Sequence, residues 1–99
     1  MSIEQHNPPH PGEFLLSVYI EPFKLVPNKI AKEHLKVSPS TFHRLLKQQS
    51  DVTPEMALKL SRVFGRSPES WLLMQDNYNL SRAKKEICLD KYQPIAFGC

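Results

Sequence analysis

The fold is decided by residues 27–48: Pro27-Asn28-Lys29-Ile30-Ala31-Lys32-Glu33-His34-Leu35-Lys36-Val37-Ser38-Pro39-Ser40-Thr41-Phe42-His43-Arg44-Leu45-Leu46-Lys47-Gln48. Pro27 suits the opening turn of a helix, because its missing N–H would be unpaired there anyway. Ile30, Ala31 and Leu35 then follow at helical spacing. Ser38-Pro39 is a second helix start, and Phe42, Leu45 and Leu46 form its inward stripe. Only about Lys36-Val37 separates the two. Two short helices joined by so tight a turn make a helix-turn-helix unit, whose second helix can enter a major groove.

That second helix divides cleanly. With Phe42, Leu45 and Leu46 buried, Ser40, His43, Arg44 and Lys47 are left outward. Arg44 can bond bidentately to guanine, His43 can donate or accept at a base edge, and Ser40 is short enough for close approach. Lys47 and Gln48 suit phosphates better. Ser38 and Thr41 at the helix start, and Asn28 and Lys29 on the preceding helix, complete the candidate DNA-binding set. A solvated helix face would show the same pattern, so it does not decide by itself.

Charge points the same way. Residues 24–47 carry Lys24, Lys29, Lys32, Lys36, Arg44 and Lys47 against Glu33 alone, a local charge of +5 in a chain of net charge +3. A basic segment in an otherwise near-neutral chain is the footprint expected of a protein that meets a polyanion. A solvated lysine face is the alternative, and charge alone leaves the two open.

Outward from this unit, proline and serine punctuate the rest. Pro11-Gly12 precedes Phe14, Leu15, Val18 and Tyr19, a stripe that predicts a first helix ending before Pro22. Thr53-Pro54-Glu55 opens a fourth helix: the hydroxyl accepts from an orphan N–H, proline fits the first position, and the carboxylate suits the positive end of the dipole. Met56, Ala57, Leu60, Val63 and Phe64 follow, and Gly65 stops it. Ser67-Pro68-Glu69 repeats the start chemistry for a fifth helix reaching about Lys85. No strand is expected before residue 87. Residues 87–99 show no clear period, with Tyr92-Gln93-Pro94-Ile95 reading as extended. The chain therefore reads as an all-α bundle of five helices, with segment 1–9, domain 10–86 and tail 87–99.

Ninety-nine residues suffice for one core. No apolar run approaches the roughly 20 residues needed to cross a bilayer, and residues 1–10 lack the pattern of a signal peptide. The cytoplasm is the expected compartment, with no membrane partner. A Cys88–Cys99 disulfide is conceivable but not favoured in a reducing compartment. Histidines 6, 10, 34 and 43 lack metal-ligand spacing with either cysteine, so neither metal nor cofactor is expected. No nucleophile elbow, phosphate-cradling loop or metal motif is present, which argues against an enzyme.

In the fifth helix, Trp71, Leu72, Leu73 and Met74 are four apolar residues in a row, more than one face can bury. Some belong to the core; the remainder points to self-association. Trp71, Leu73, Met74 and Tyr78 are the candidate dimer contacts. Two-fold DNA readers need such pairing to span half-sites one helical turn apart.

Residues 10–86 resemble a known family. His10-Pro11-Gly12-Glu13-Phe14-Leu15 with Glu21-Pro22, then residues 53–60, then Phe64-Gly65-Arg66-Ser67-Pro68-Glu69-Ser70-Trp71-Leu72 with Met74-Gln75 and Tyr78-Asn79-Leu80, are similar to the HigA antitoxins, or VapI-like group. The resemblance implies a five-helix, λ-repressor-like DNA-binding domain with a short C-terminal tail. It also implies a repressor that binds its own operator DNA as a homodimer and neutralises a HigB-type ribonuclease toxin. Such a toxin needs a basic cleft to hold RNA, and Glu4, Glu13 and Glu21 put a charge of −3 in the first 21 residues, without a Lys or Arg. Glu13 and Glu21 are thus candidate toxin contacts, although solvated helix-end charges would read the same. An orphan regulator without a toxin, or a protein-binding adaptor on the same fold, remain as alternatives.

Two departures from the family pattern stand out. The turn that usually holds glycine has Lys36, and one residue is extra between Ala31 and Val37. A lysine there predicts a turn of different shape, since glycine serves turns by tolerating positive φ.

Overall fold

The computed structural model describes residues 7–98. The readings made for Glu4, His6 and Cys99, and for most of segment 1–9, lie outside the described residues. Five helices follow one another. Helix α1 is α-helical over Pro11–Leu15 and continues as a π-helix over Leu16–Ile20. Helix α2 is α-helical over Pro27–Lys29 and π-helical over Ile30–Leu35. Helices α3 (Pro39–Leu46), α4 (Pro54–Phe64) and α5 (Pro68–Glu86) are regular, and a 3-10 turn at Leu89–Lys91 interrupts the tail. Among the described residues there is no strand.

The helix starts follow from local chemistry. Ser38, Thr53 and Ser67 each accept a hydrogen bond from the backbone N–H three residues on, at 3.2, 3.2 and 3.1 Å. A proline occupies the next position each time, where an N–H would go unpaired. Helix α1 is capped by a residue that the sequence did not suggest for the task. The His10 Nδ1 accepts from the Gly12 N–H at 2.9 Å.

One core is shared by all five helices. Leu15 and Ile20, Ile30, Ala31 and Leu35, Phe42, Leu45 and Leu46, Ala57 and Leu60, and Trp71 come from α1 to α5 in turn, with Val52 from the α3–α4 link. Full burial of each large apolar side chain stabilises by roughly 1.5–3 kcal/mol. Helix α1 crosses α3 so closely that a Cβ on Gly12 would collide with the Leu45 carbonyl oxygen. Trp71 is fully enclosed. It donates its indole N–H to the Gly65 carbonyl at 3.0 Å and meets Phe14 edge-on at 5.8 Å. The Arg66 guanidinium lies over both Phe14 and Trp71. Gln75, also buried, accepts from the Val52 N–H at 2.8 Å and donates to Asn79, tying the α3–α4 link to α5.

The turn between α2 and α3 corrects the reading made from Lys36. Its φ and ψ are 58° and 44°, the left-handed conformation that a glycine would have supplied. The lysine has taken the glycine's shape rather than changed the turn. The Lys36 and Val37 N–H groups both return to the Ala31 carbonyl, closing the helix in the manner of a Schellman cap. Upstream of it, α2 is π-helical, and the Lys36 N–H reaches a carbonyl five residues back where a regular α-helix would use the fourth.

His10 is buried, with its ring edge-on to Tyr78 at 4.9 Å and no hydrogen-bond partner on Nε2. Burial holds it below the ordinary histidine value, against the opposing pull of Asp51, the Ser50 backbone and Glu13. Because Nδ1 accepts from an N–H, protonating it would replace the cap's acceptor with a donor. Below about pH 6.5 the unfolded chain binds a proton at this position that the folded chain refuses. Stability should therefore fall as pH drops from roughly 6.5 toward the lowered folded value. Denaturant titrations at several pH values test this. His10→Asn, which caps without titrating, should flatten that limb; an unchanged slope would assign the effect to other groups.

Candidate nucleic-acid interface

Helix α3 buries the apolar stripe that its sequence pattern foretold. Phe42, Leu45 and Leu46 are buried, while Ser40, Arg44, Lys47 and Gln48 are exposed and His43 and Thr41 are half-buried. Asn28 and Lys29, in the first turn of α2, are exposed. A chain of short polar contacts organises the start of α3. The Ser38 hydroxyl meets that of Thr41 at 2.8 Å and that of Ser40 at 3.2 Å, and Arg44 Nη2 donates to Thr41 Oγ1 at 3.4 Å. His43 Nε2 lies 2.7 Å from Asn28 Oδ1, joining α2 to α3 across the turn. Among the described residues no carboxylate pairs with Lys29, Arg44 or Lys47; the ion pairs are Lys59–Glu55 and Arg82–Glu86, elsewhere. Cations left unpaired on a groove-sized helix are free for phosphates and base edges.

The other candidate surfaces sort differently. Trp71 offers nothing to a second protomer, because packing against Phe14 and Tyr19 encloses it; its place among the dimer contacts is withdrawn. Tyr78 is half-buried, its ring against His10 and beneath Arg82. Leu73 is 59% exposed, and Met74 half-buried beside it. Both line an open cleft of about 270 Å³ with Pro8, Pro9, Phe14 and Arg66. Leu80 and Ile87, exposed at 55% and 50%, repeat Leu73 at seven-residue intervals, a row that the sequence reading missed. Glu13 and Glu21 are exposed. No group of three or more His, Cys, Asp or Glu side chains among the described residues could hold a metal. No helix there is long and apolar enough to cross a membrane.

An α2–turn–α3 unit seated in a five-helix bundle, with an uncommitted basic face on α3, defines a helix-turn-helix protein. Virulence-associated protein I of Dichelobacter nodosus is 40% identical over 77 residues, 78% of this chain and 70% of that protein. The HTH-type transcriptional regulator YddM of Escherichia coli is 36% identical over 89 residues, 90% of this chain and 93% of its own. The solved structure of Pseudomonas aeruginosa antitoxin HigA with the higBA promoter superposes with a TM-score of 0.76 at 32% identity, over 86% of this chain and 89% of that one. No protein-family model matches the chain. The chain belongs to the HigA-like family of helix-turn-helix transcriptional regulators that includes virulence-associated protein I.

Proposed function

We propose that this protein is a sequence-specific DNA-binding repressor, acting as a homodimer in the cytoplasm, and the antitoxin of a HigB/HigA-type pair. It is a regulator and not an enzyme. The observation that carries the reading is the α3 face: three apolar side chains lock the helix to the core while Ser40, Arg44 and Lys47 stay exposed and free of ion pairs. A similar chain solved with its promoter DNA supports operator binding. Arg44→Ala should cost roughly 1–3 kcal/mol on the operator, the loss of one bidentate base contact, and much less on unrelated DNA at equal salt. Lys47→Ala should weaken all duplexes alike and lower the salt slope by about one counterion. Gel shifts in which Arg44→Ala keeps full operator affinity would remove Arg44 from the reading set.

The antitoxin role adds a second surface. Glu13, in the first turn of α1, and Glu21, at its C-cap, are exposed and complement the basic cleft that a ribonuclease requires. That assignment leaves α3 free to hold DNA while a toxin is bound. Co-expression with the neighbouring small reading frame, followed by pull-down, is the test. Glu13→Lys with Glu21→Lys should abolish capture and leave the growth arrest unrelieved. Capture by the doubly reversed chain would move the toxin to another face.

A further inference from the structure

We infer that Asn28 and His43 form a single recognition unit, in which His43 positions the Asn28 amide for a DNA backbone phosphate. The inference rests on the DNA interface proposed above, and concerns how two of its residues share the task. Asn28 Oδ1 can only accept, so the contact at 2.7 Å makes His43 Nε2 the donor. The bond fixes the amide by its oxygen and leaves its two N–H donors free, beside one remaining lone pair on Oδ1. Those two donors suit a phosphate oxygen.

Placement supports the same partner. Asn28 lies in the first turn of α2, directly after Pro27, and is exposed. The leading helix of a helix-turn-helix crosses the sugar–phosphate backbone, while base edges fall to the second helix. His43 sits on that second helix, fifteen residues on, half-buried and with a single ring nitrogen left for any other contact. Bonding across the turn also removes freedom from the long-range pair before DNA arrives, which lowers the entropy lost on binding. His43 is therefore a positioning residue, and its effect on DNA passes through Asn28.

Fluorescence anisotropy with two labelled duplexes tests this: the segment directly upstream of the chain's own reading frame, and a scrambled one of equal length. Asn28→Ala and His43→Phe should each weaken binding by about fivefold to tenfold, the scale of one hydrogen bond. The double variant should be no weaker than the worse single one. His43→Gln, which restores a donor, should recover most of the affinity. The salt slope should stay unchanged in all of them, since no charge is removed. Losses that multiply in the double variant, or wild-type affinity in His43→Phe, would overturn the coupling while leaving promoter binding intact. A wild-type chain that binds neither duplex overturns the interface itself. Long-range ¹H–¹⁵N spectra of the DNA-free chain supply a readout independent of binding. They should show His43 protonated on Nε2, and a ring protonated on Nδ1 alone would refute the pair.

Discussion

Gly12→Ala is expected to destabilise the protein by about 3 kcal/mol or more, at or beyond the upper end of the usual cost of overpacking. The reason lies in what the new methyl group meets. A Cβ at position 12 would run into the Leu45 carbonyl oxygen and crowd the Leu46 Cα, both backbone atoms. Side-chain clashes relax by rotation; backbone ones require a helix to move. Separating α1 from α3 would also open the packing around Leu15, Leu45 and Leu46, which are within 5% of full burial. Thermal unfolding followed by circular dichroism should show a midpoint lower by more than about 10 °C. Operator affinity should fall with it, because α3 is the helix displaced. Gly65 is a useful contrast: nothing crowds a Cβ there, and only its φ of 97° opposes a side chain. A Gly12→Ala chain within 1 kcal/mol of the parent by the same assay would mean that the two helices are not held so close in solution.

The largest effect on DNA binding should come from a residue remote from the α3 face. On the proposed homodimer, Leu73→Asp is expected to give a folded monomer whose operator affinity is lower by about 100-fold or more, since two linked half-site readers would become independent. In the single protomer Leu73 is mostly exposed, so a carboxylate there leaves the core intact. Against a second protomer the same carboxylate would be buried without a partner, which is costly. Light scattering reports the mass and anisotropy the affinity. Leu58, on α4, is equally apolar and 61% exposed, so Leu58→Asp controls for added charge on an exposed helix. A Leu73→Asp chain that stays dimeric would place the contact elsewhere, with the exposed Tyr92, Ile95 and Phe97 of the tail next in line.

Much of this architecture was legible because its signals are local. Ser38, Thr53 and Ser67, each followed by proline, mark helix starts within three residues, and the bonds that close them span no more. The inward stripe of α3 was equally plain, since Phe42, Leu45 and Leu46 fit one helical face. What escaped notice depends on contacts distant along the chain. His10 as a buried cap owes its environment to Tyr78 and Asp51. The buried Gln75 matters because Val52 lies beside it. Trp71 had to be told from Leu73 by where Phe14 and Tyr19 sit, which periodicity within α5 cannot say. The Asn28–His43 bond joins two helices, and neither side chain advertises it. Lys36 shows that a residue's preference does not fix its conformation. The Schellman closure and the packing of Leu35 hold lysine in the left-handed region that it would rarely choose alone.

The π turn in α2 bears on how such a chain can vary in length. A residue inserted into a regular α-helix rotates everything after it by about 100°, which would swing Leu35 off the core. A widened turn takes the newcomer as a local bulge and returns the chain to its former phase. Here Leu35 stays buried and the Lys36 closure still delivers Ser38 to cap α3. The widened turn over Ile30–Leu35 is thus compatible with an unchanged aim for the helix beyond it.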